Sequence, residues 1–155
     1  MRVIRVKQEL VELVGEKIGI SDWIPVTQTL IDDFANASGD SYWIHTDPVK
    51  AMDTKFASTI AHGLLVLSLG PAFMYKLIDF SAFGTTLNYG FESVRFPEPL
   101  PVGANVRMKA HLLALEEKPA GLLVKVRQTF ESDRSERPVC VARSLLYLTE
   151  STPAR

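Results

Sequence analysis

Apolar residues recur at helical spacing through the first part of the chain. The spacing predicts a first helix over residues 5–16, with an apolar stripe formed by Val6, Leu10, Leu13 and Val14. A second helix is expected to begin after Thr27, whose side chain is typical of an N-cap, and to end at Gly39. Its apolar side comprises Leu30, Ile31, Phe34 and Ala37.

Shorter elements are predicted on either side of the second helix. Residues 22–26 form a short strand candidate that Pro25 interrupts. Asp47 followed by Pro48 combines an N-cap residue with proline at the first helical position, which predicts a short helix through Met52. The segment between these two helices is therefore a loop held at both ends.

Residues 64–77 are apolar on nearly all sides, which predicts a buried central helix. Gly70-Pro71 is expected to kink or interrupt it. The apolar run from residue 60 to residue 80 is long enough to raise the question of a membrane span. Polar or helix-breaking residues interrupt the run and favour a core helix instead: His62, Ser68, Pro71 and Lys76.

From Gly84 onward the apolar residues alternate with polar ones, which is typical of strands with one buried face. Four strands are predicted, over residues 85–96, 105–116, 122–131 and 139–148. Their short connections favour antiparallel neighbours. The expected fold class is α+β, in which a curved antiparallel sheet wraps a long apolar helix and residues 1–155 form one domain.

The composition mainly excludes some classes of function and location. The 155 residues are 46% apolar and 23% charged, which is typical of a globular domain, and the formal net charge is −1. Without a block of Lys and Arg residues, binding to nucleic acid or a membrane surface is not expected. The single cysteine, Cys140, precludes an intrachain disulfide, and the N-terminal residues lack a signal-peptide pattern. The cytoplasm is the expected location.

Candidate chemistry is concentrated where the second helix ends. Asp40 lies five residues before His45, a spacing that does not place both on one helical face. Asp40 is expected to open a loop from which His45 returns, so that both side chains reach one small molecule such as water. A carboxylate and an imidazole together are suited to moving protons near neutral pH. A turn at Gly39-Asp40 beside a hydrogen-bonded core histidine is the purely structural alternative.

The stretch from Phe34 to Ala51 resembles the signature of the MaoC-like hydratases, the hydratase 2 family of the hot-dog fold. The resemblance rests on an aromatic residue, then Gly39-Asp40, three further residues, an aliphatic residue and His45, followed later by the small Ala51. Tyr42-Trp43 stands where many members have Asn-Pro, which is similar to the NodN-like branch. Weaker similarity continues through Ile60-Ala61-His62-Gly63 and through the strand motifs that follow, so that it covers roughly residues 27–110.

The resemblance implies that Asp40 and His45 hold a water molecule. They would add it across the double bond of a trans-2-enoyl thioester, on coenzyme A or acyl-carrier protein, and yield a (3R)-hydroxyacyl thioester, or catalyse the reverse dehydration. The Gly63 N–H is a candidate oxyanion donor, with helix packing as its structural alternative. Other candidates for the substrate site are Tyr42, Asn88 and His62, although His62 is expected to order its turn more than to transfer protons.

Several alternatives remain open. Asp40, His45 and His62 also suggest a metal site, but the sequence lacks the close histidine pairs and cysteines of such sites, so neither metal nor cofactor is expected. A hot-dog thioesterase and a non-catalytic acyl-binding subunit are the alternative functions. A homodimer is expected, because a single sheet leaves edges to protect and the resembled family pairs its sheets. Which of Asp40 and His45 is acid and which is base stays undecided.

Overall fold

The computed structural model describes residues 1–149. Within these residues a six-stranded sheet has the order β2-β6-β7-β8-β5, and β3 also pairs with β6. The long antiparallel strands are β5 (Thr86–Arg95), β6 (Asn105–Lys118), β7 (Gly121–Ser132) and β8 (Cys140–Thr149). Alternating burial along β6 and β7 gives the sheet one core face, as the alternating sequence pattern predicted.

The N-terminal segment differs from its predicted helix. Helix α1 spans only Lys7–Val11, and turns follow it. The Gly15 N–H donates to the Leu112 carbonyl at 2.8 Å, which draws the chain onto β6. Strand β2 (Lys17–Ile20) then pairs with β6. The prediction missed this because an apolar stripe does not tell where sheet hydrogen bonds end a helix.

Other short pairings complete the N-terminal region. Strand β1 (Arg2–Val3) pairs in parallel with β4 (Ile78–Asp79). The strand candidate interrupted by Pro25 is β3 (Ile24–Pro25), which is shorter than predicted.

The helices that carry the candidate site follow the predicted caps. Helix α2 (Gln28–Ser38) begins after Thr27, whose Oγ1 accepts the Leu30 N–H at 3.2 Å. Helix α4 (Pro48–Met52) begins after Asp47, whose carboxylate accepts the Lys50 N–H at 3.0 Å. Between them lies a single helical turn, α3 (Trp43–Thr46), where the sequence predicted only a loop.

The predicted central helix is divided in two. Helix α5 (Gly63–Ser68) ends at Leu69, and α6 (Gly70–Leu77) follows at once, with Pro71 in its first turn. This is the interruption expected from Gly70-Pro71, because proline cannot continue the hydrogen-bond ladder. The buried residues of both helices share one core with those of the sheet, among them Leu65, Phe73, Met74, Val106, Val124 and Phe130.

Strand β5 is a terminal strand of the sheet. Its large apolar side chains Leu87, Tyr89 and Phe91 are exposed. Exposed edges of this kind invite pairing with another chain. Among the described residues, no helix has the length and apolar character needed to cross a bilayer.

Candidate active site

The end of helix α2 presents Asp40. Gly39 adopts a left-handed conformation with φ 79°, and its N–H donates to the Ala35 carbonyl at 2.9 Å. The next N–H, that of Asp40, donates to Ser38 Oγ at 3.2 Å. From the residues that the structure describes, the Asp40 carboxylate accepts only a long hydrogen bond, from the Tyr42 N–H at 3.4 Å, and the residue is exposed. The carboxylate therefore keeps most of its acceptor capacity for another molecule.

His45 lies in the helical turn α3, and the hydrogen-bond partner of its ring determines its tautomer. Nδ1 is 2.6 Å from the Ile60 carbonyl oxygen. Because a carbonyl oxygen only accepts, Nδ1 carries the hydrogen and donates it. In the neutral ring, Nε2 is therefore unprotonated and available as a proton acceptor.

Gln28 joins three segments of the site, a role that the sequence gave no reason to expect. Its Nε2 donates to the His45 carbonyl at 2.8 Å and to Asp32 Oδ1 at 2.8 Å. Its Oε1 accepts the Thr59 hydroxyl hydrogen. The start of α2, the turn α3 and the segment before α5 are thus held together by one side chain.

His62 is the buried member of the cluster, with 3% of its surface exposed. Its Nε2–H donates to the Asp40 carbonyl at 2.8 Å, and its ring stacks on that of His45 with centroids 3.8 Å apart. Phe34 packs against its ring at 5.1 Å. The buried Nδ1 has no hydrogen-bond partner among the described residues. His62 thus contacts both Asp40 and His45, and its Nδ1, the nitrogen that carries the lone pair, is buried.

Burial lowers the pKa of the His45 imidazole below its usual value, because the imidazolium loses hydration in the pocket. The hydrogen bond to the Ile60 carbonyl opposes this shift, the neighbouring His62 adds to it, and Asp40 opposes it again. The net lowering of the pKa keeps His45 neutral at neutral pH, as a proton acceptor must be.

One potential ligand atom from each of Asp40, His45 and His62 lies within 4.8 Å of the others. The His62 Nε2–H, however, donates to the Asp40 carbonyl, and the His62 Nδ1 is buried. In this arrangement His62 presents no solvent-accessible lone pair to a metal ion. This geometry suits a water molecule held by Asp40 and His45 better than a metal held by all three residues.

A pocket of about 430 Å³ opens beside the cluster and is lined by Asp40, His45, His62 and Gly63. None of the described residues accepts a hydrogen bond from the Gly63 N–H. The Phe96 ring covers Gly63 so closely that an added Cβ would lie 2.8 Å from it. Gly63 therefore has both a steric reason to be glycine and a free donor in the pocket.

Two predicted substrate contacts are not part of this pocket. Tyr42 is 58% exposed, and its ring faces that of Trp43 at 5.6 Å. Asn88 lines a separate cavity between α6 and the sheet. Conversely, Lys55, Phe56 and Phe96 line the catalytic pocket and were not predicted to do so. No periodic pattern marks them, because they come from a turn and a strand end that only the fold brings together.

Comparisons with known proteins place the chain in a family. The family model described as a MaoC like domain matches residues 9–132. The 3-hydroxyacyl-thioester dehydratase Z of Mycobacterium tuberculosis is 39% identical over 147 residues, which cover 94% of this chain and 97% of that protein. Nodulation protein N of Rhizobium leguminosarum bv. viciae is 38% identical over 132 residues, which cover 83% of this chain and 82% of that protein.

A solved structure shares the fold. The unliganded (R)-hydratase PhaJ1 from Pseudomonas aeruginosa superposes with a TM-score of 0.74 at 24% identity, covering 92% of this chain and 86% of that one. The resemblance in the Asp40–His45 motif is thus matched along most of the chain, in sequence and in fold. The chain belongs to the MaoC-like family of hot-dog proteins.

Proposed function

We propose that the protein hydrates trans-2-enoyl thioesters to (3R)-3-hydroxyacyl thioesters, or catalyses the reverse dehydration. One observation carries this proposal. The Asp40 carboxylate, which accepts one long hydrogen bond, and the unprotonated Nε2 of His45 belong to residues that line the same pocket. The mycobacterial relative is named a 3-hydroxyacyl-thioester dehydratase, and this name supports the same reaction class.

The two acceptors orient a water molecule. Water donates one hydrogen to the Asp40 carboxylate and the other to His45 Nε2, each over about 2.8 Å. One potential ligand atom of Asp40 and one of His45 lie within 4.8 Å of each other, a separation that a single water molecule can bridge. With both hydrogens engaged, the lone pairs of the water oxygen face the pocket, where C3 of the substrate is to be attacked.

The reaction balances without a redox partner. The C3–O bond forms while a proton leaves the water for the Asp40/His45 pair, and a proton from the pair forms the C2–H bond. Attack at C3 moves negative charge onto the thioester oxygen, and the Gly63 N–H is suited to stabilise this charge by donating a hydrogen bond to that oxygen. The scheme needs neither metal nor cofactor.

The function is tested by incubating the purified protein with trans-2-enoyl-CoA. Hydration removes the absorbance of the conjugated double bond without releasing free thiol. Release of thiol would identify a thioesterase instead. Binding of a saturated acyl-CoA without either signal would identify the non-catalytic alternative.

Asp40→Asn and His45→Gln keep side-chain size but remove proton transfer. We expect each variant to lower hydration by at least roughly 10²–10⁴-fold, the usual contribution of a general acid or base. The double variant should be little slower than the slower single variant, because both residues act on one water molecule. The kinetics are compared with binding of a saturated acyl-CoA, which should change little. Near-wild-type hydration by a folded single variant would contradict the assignment.

The lowered pKa of His45 predicts the pH profile of hydration. The neutral ring is the active form, so kcat/KM should be constant at higher pH and fall as His45 becomes protonated. Because burial lowers the pKa, the midpoint should lie below the usual value of about 6.5. Initial rates are measured across pH after brief exposure, with folding checked by circular dichroism. A midpoint above 6.5, or the same acid limb in the residual activity of His45→Gln, would argue against this assignment.

The role of Gly63 is tested by two variants that differ in the N–H. In a Phe96→Ala background, which makes room for a Cβ, Gly63→Ala keeps the N–H and Gly63→Pro removes it. Proline is tolerated at the first helical position, so both variants should fold. We expect the proline variant to have a turnover lower by on the order of 10²–10³ than the alanine variant. Equal turnover would leave Gly63 with only its packing role.

We also propose that the active form is a homodimer joined through the edge strand β5. The exposed Leu87, Tyr89 and Phe91 on this terminal strand support the proposal. Light scattering at micromolar concentration should give twice the mass of one chain, and Tyr89→Lys should shift the protein toward monomer. Val11→Lys, an exposed apolar residue on α1, is the matched control and should remain dimeric. A fully active wild-type monomer would overturn this arrangement.

A further inference from the structure

A second cavity, of about 60 Å³, lies between α6 and the sheet. Most of its lining is apolar, including Leu67, Met74, Ile78, Phe80 and Leu146. Two buried polar residues, Gln128 on β7 and Ser144 on β8, also line it. We call this space the Gln128 cavity.

Gln128 is 4% exposed, yet its side-chain amide makes no hydrogen bond within residues 1–149. Its neighbours across the sheet are Ala110 and Ala142, which carry no polar side-chain groups. Ser144 uses its hydroxyl hydrogen on the Val126 carbonyl at 3.3 Å, so it retains acceptor capacity toward the cavity. The cavity therefore presents an amide donor, an amide acceptor and a hydroxyl acceptor.

The central helix accommodates this amide at Gly70. A Cβ added to Gly70 would lie 3.0 Å from Gln128 Oε1 and 3.5 Å from the Phe130 ring. The missing side chain thus leaves space for the amide beneath the break in the helix. Among residues 1–149 the amide has no hydrogen-bond partner, and an apolar residue of similar shape would fill this position without placing polar atoms at a mostly apolar cavity. Packing alone does not explain glutamine at this position.

The Gln128 cavity lies farther along the central helix than the catalytic pocket. Gly63 and Leu64 line the catalytic pocket, and Leu67, Pro71 and Met74 line the cavity. From Gly63 to Gly70 the helical rise amounts to about 10 Å. A medium-length acyl chain that follows this helix from a thioester held at Gly63 therefore reaches the Gln128 cavity.

We infer that the Gln128 amide selects enoyl thioesters whose acyl chain carries a hydrogen-bonding oxygen, hydroxyl or carbonyl, toward its far end. This inference rests on the proposed hydration activity and adds the class of acyl chain. An unsubstituted chain entering the cavity displaces any water there and leaves the amide unpaired. A site that offers hydrogen bonds discriminates against analogues that lack the matching group.

The test compares ω-hydroxy-trans-2-enoyl-CoA with unsubstituted trans-2-enoyl-CoA over a series of chain lengths, so that the hydroxyl reaches different depths. For the wild-type protein, kcat/KM should favour the hydroxylated substrate by roughly 10-fold or more at one or two lengths. In Gln128→Met, which keeps an unbranched side chain without the amide, this preference should be lost at the same lengths. Gln8→Met, an exposed glutamine on α1, is the matched control and should keep the wild-type preference.

Each result has one reading. A wild-type preference for unsubstituted chains at every length, or a preference for hydroxylated chains that persists in Gln128→Met, overturns the inference. If the wild-type protein hydrates no thioester of either series, the proposed function itself fails. That result is distinguishable from the two outcomes that overturn only the inference about Gln128. Gln128→Leu serves as a second variant if the methionine variant does not fold. If the ratio of kcat/KM for the hydroxylated substrate to kcat/KM for the unsubstituted one does not exceed one at any chain length, the wild-type protein alone overturns the inference and no variant is needed.

Discussion

The hydrogen bond from His45 Nδ1–H to the Ile60 carbonyl is the constraint on which the site depends. It leaves Nε2 unprotonated and turned to other partners, and it ties α3 to the segment before the central helix. That segment is held in turn, because the Ile60 N–H donates to the Ile44 carbonyl and the Ala61 N–H donates to the Leu100 carbonyl. The imidazole is therefore oriented by backbone groups, which move less than side chains do.

His62 illustrates how function and stability oppose each other here. Its buried Nδ1 is unpaired among the described residues, and an unsatisfied buried acceptor costs roughly 1–3 kcal/mol. The same ring donates to the Asp40 carbonyl and stacks on His45, whose pKa it helps to lower. Its placement is explained by what it does for these two residues, since an apolar side chain would pack without the unpaired nitrogen.

Two glycines on the central helix shape the space along it. Gly63 lies under the Phe96 ring at the catalytic pocket, and Gly70 lies beside the Gln128 amide at the second cavity. In each case a side chain from the sheet occupies the volume that a Cβ would need. The two spaces thus lie at different positions along the central helix, and the interruption at Gly70 lies beside the second one.

The sequence by itself determined the elements that depend on local signals. Apolar periodicity predicted the central helix and the four long strands, and the caps Thr27 and Asp47 predicted the starts of α2 and α4. The Asp40–His45 motif identified the family, and the structure brings both residues to one pocket. These signals are local because capping and burial act between residues close in the chain or on one face.

Only the tertiary structure decided how distant segments meet. It ended α1 at Val11, placed Asn88 away from the catalytic pocket, and brought Gln28 and the Ile60 carbonyl into contact with the His45 residue. It also set the unpaired amide of Gln128 against Gly70, fifty-eight positions earlier in the chain. Such contacts arise from sheet register and from hydrogen bonds between segments remote in sequence. No periodic pattern of apolar and polar residues in the sequence predicts either of them.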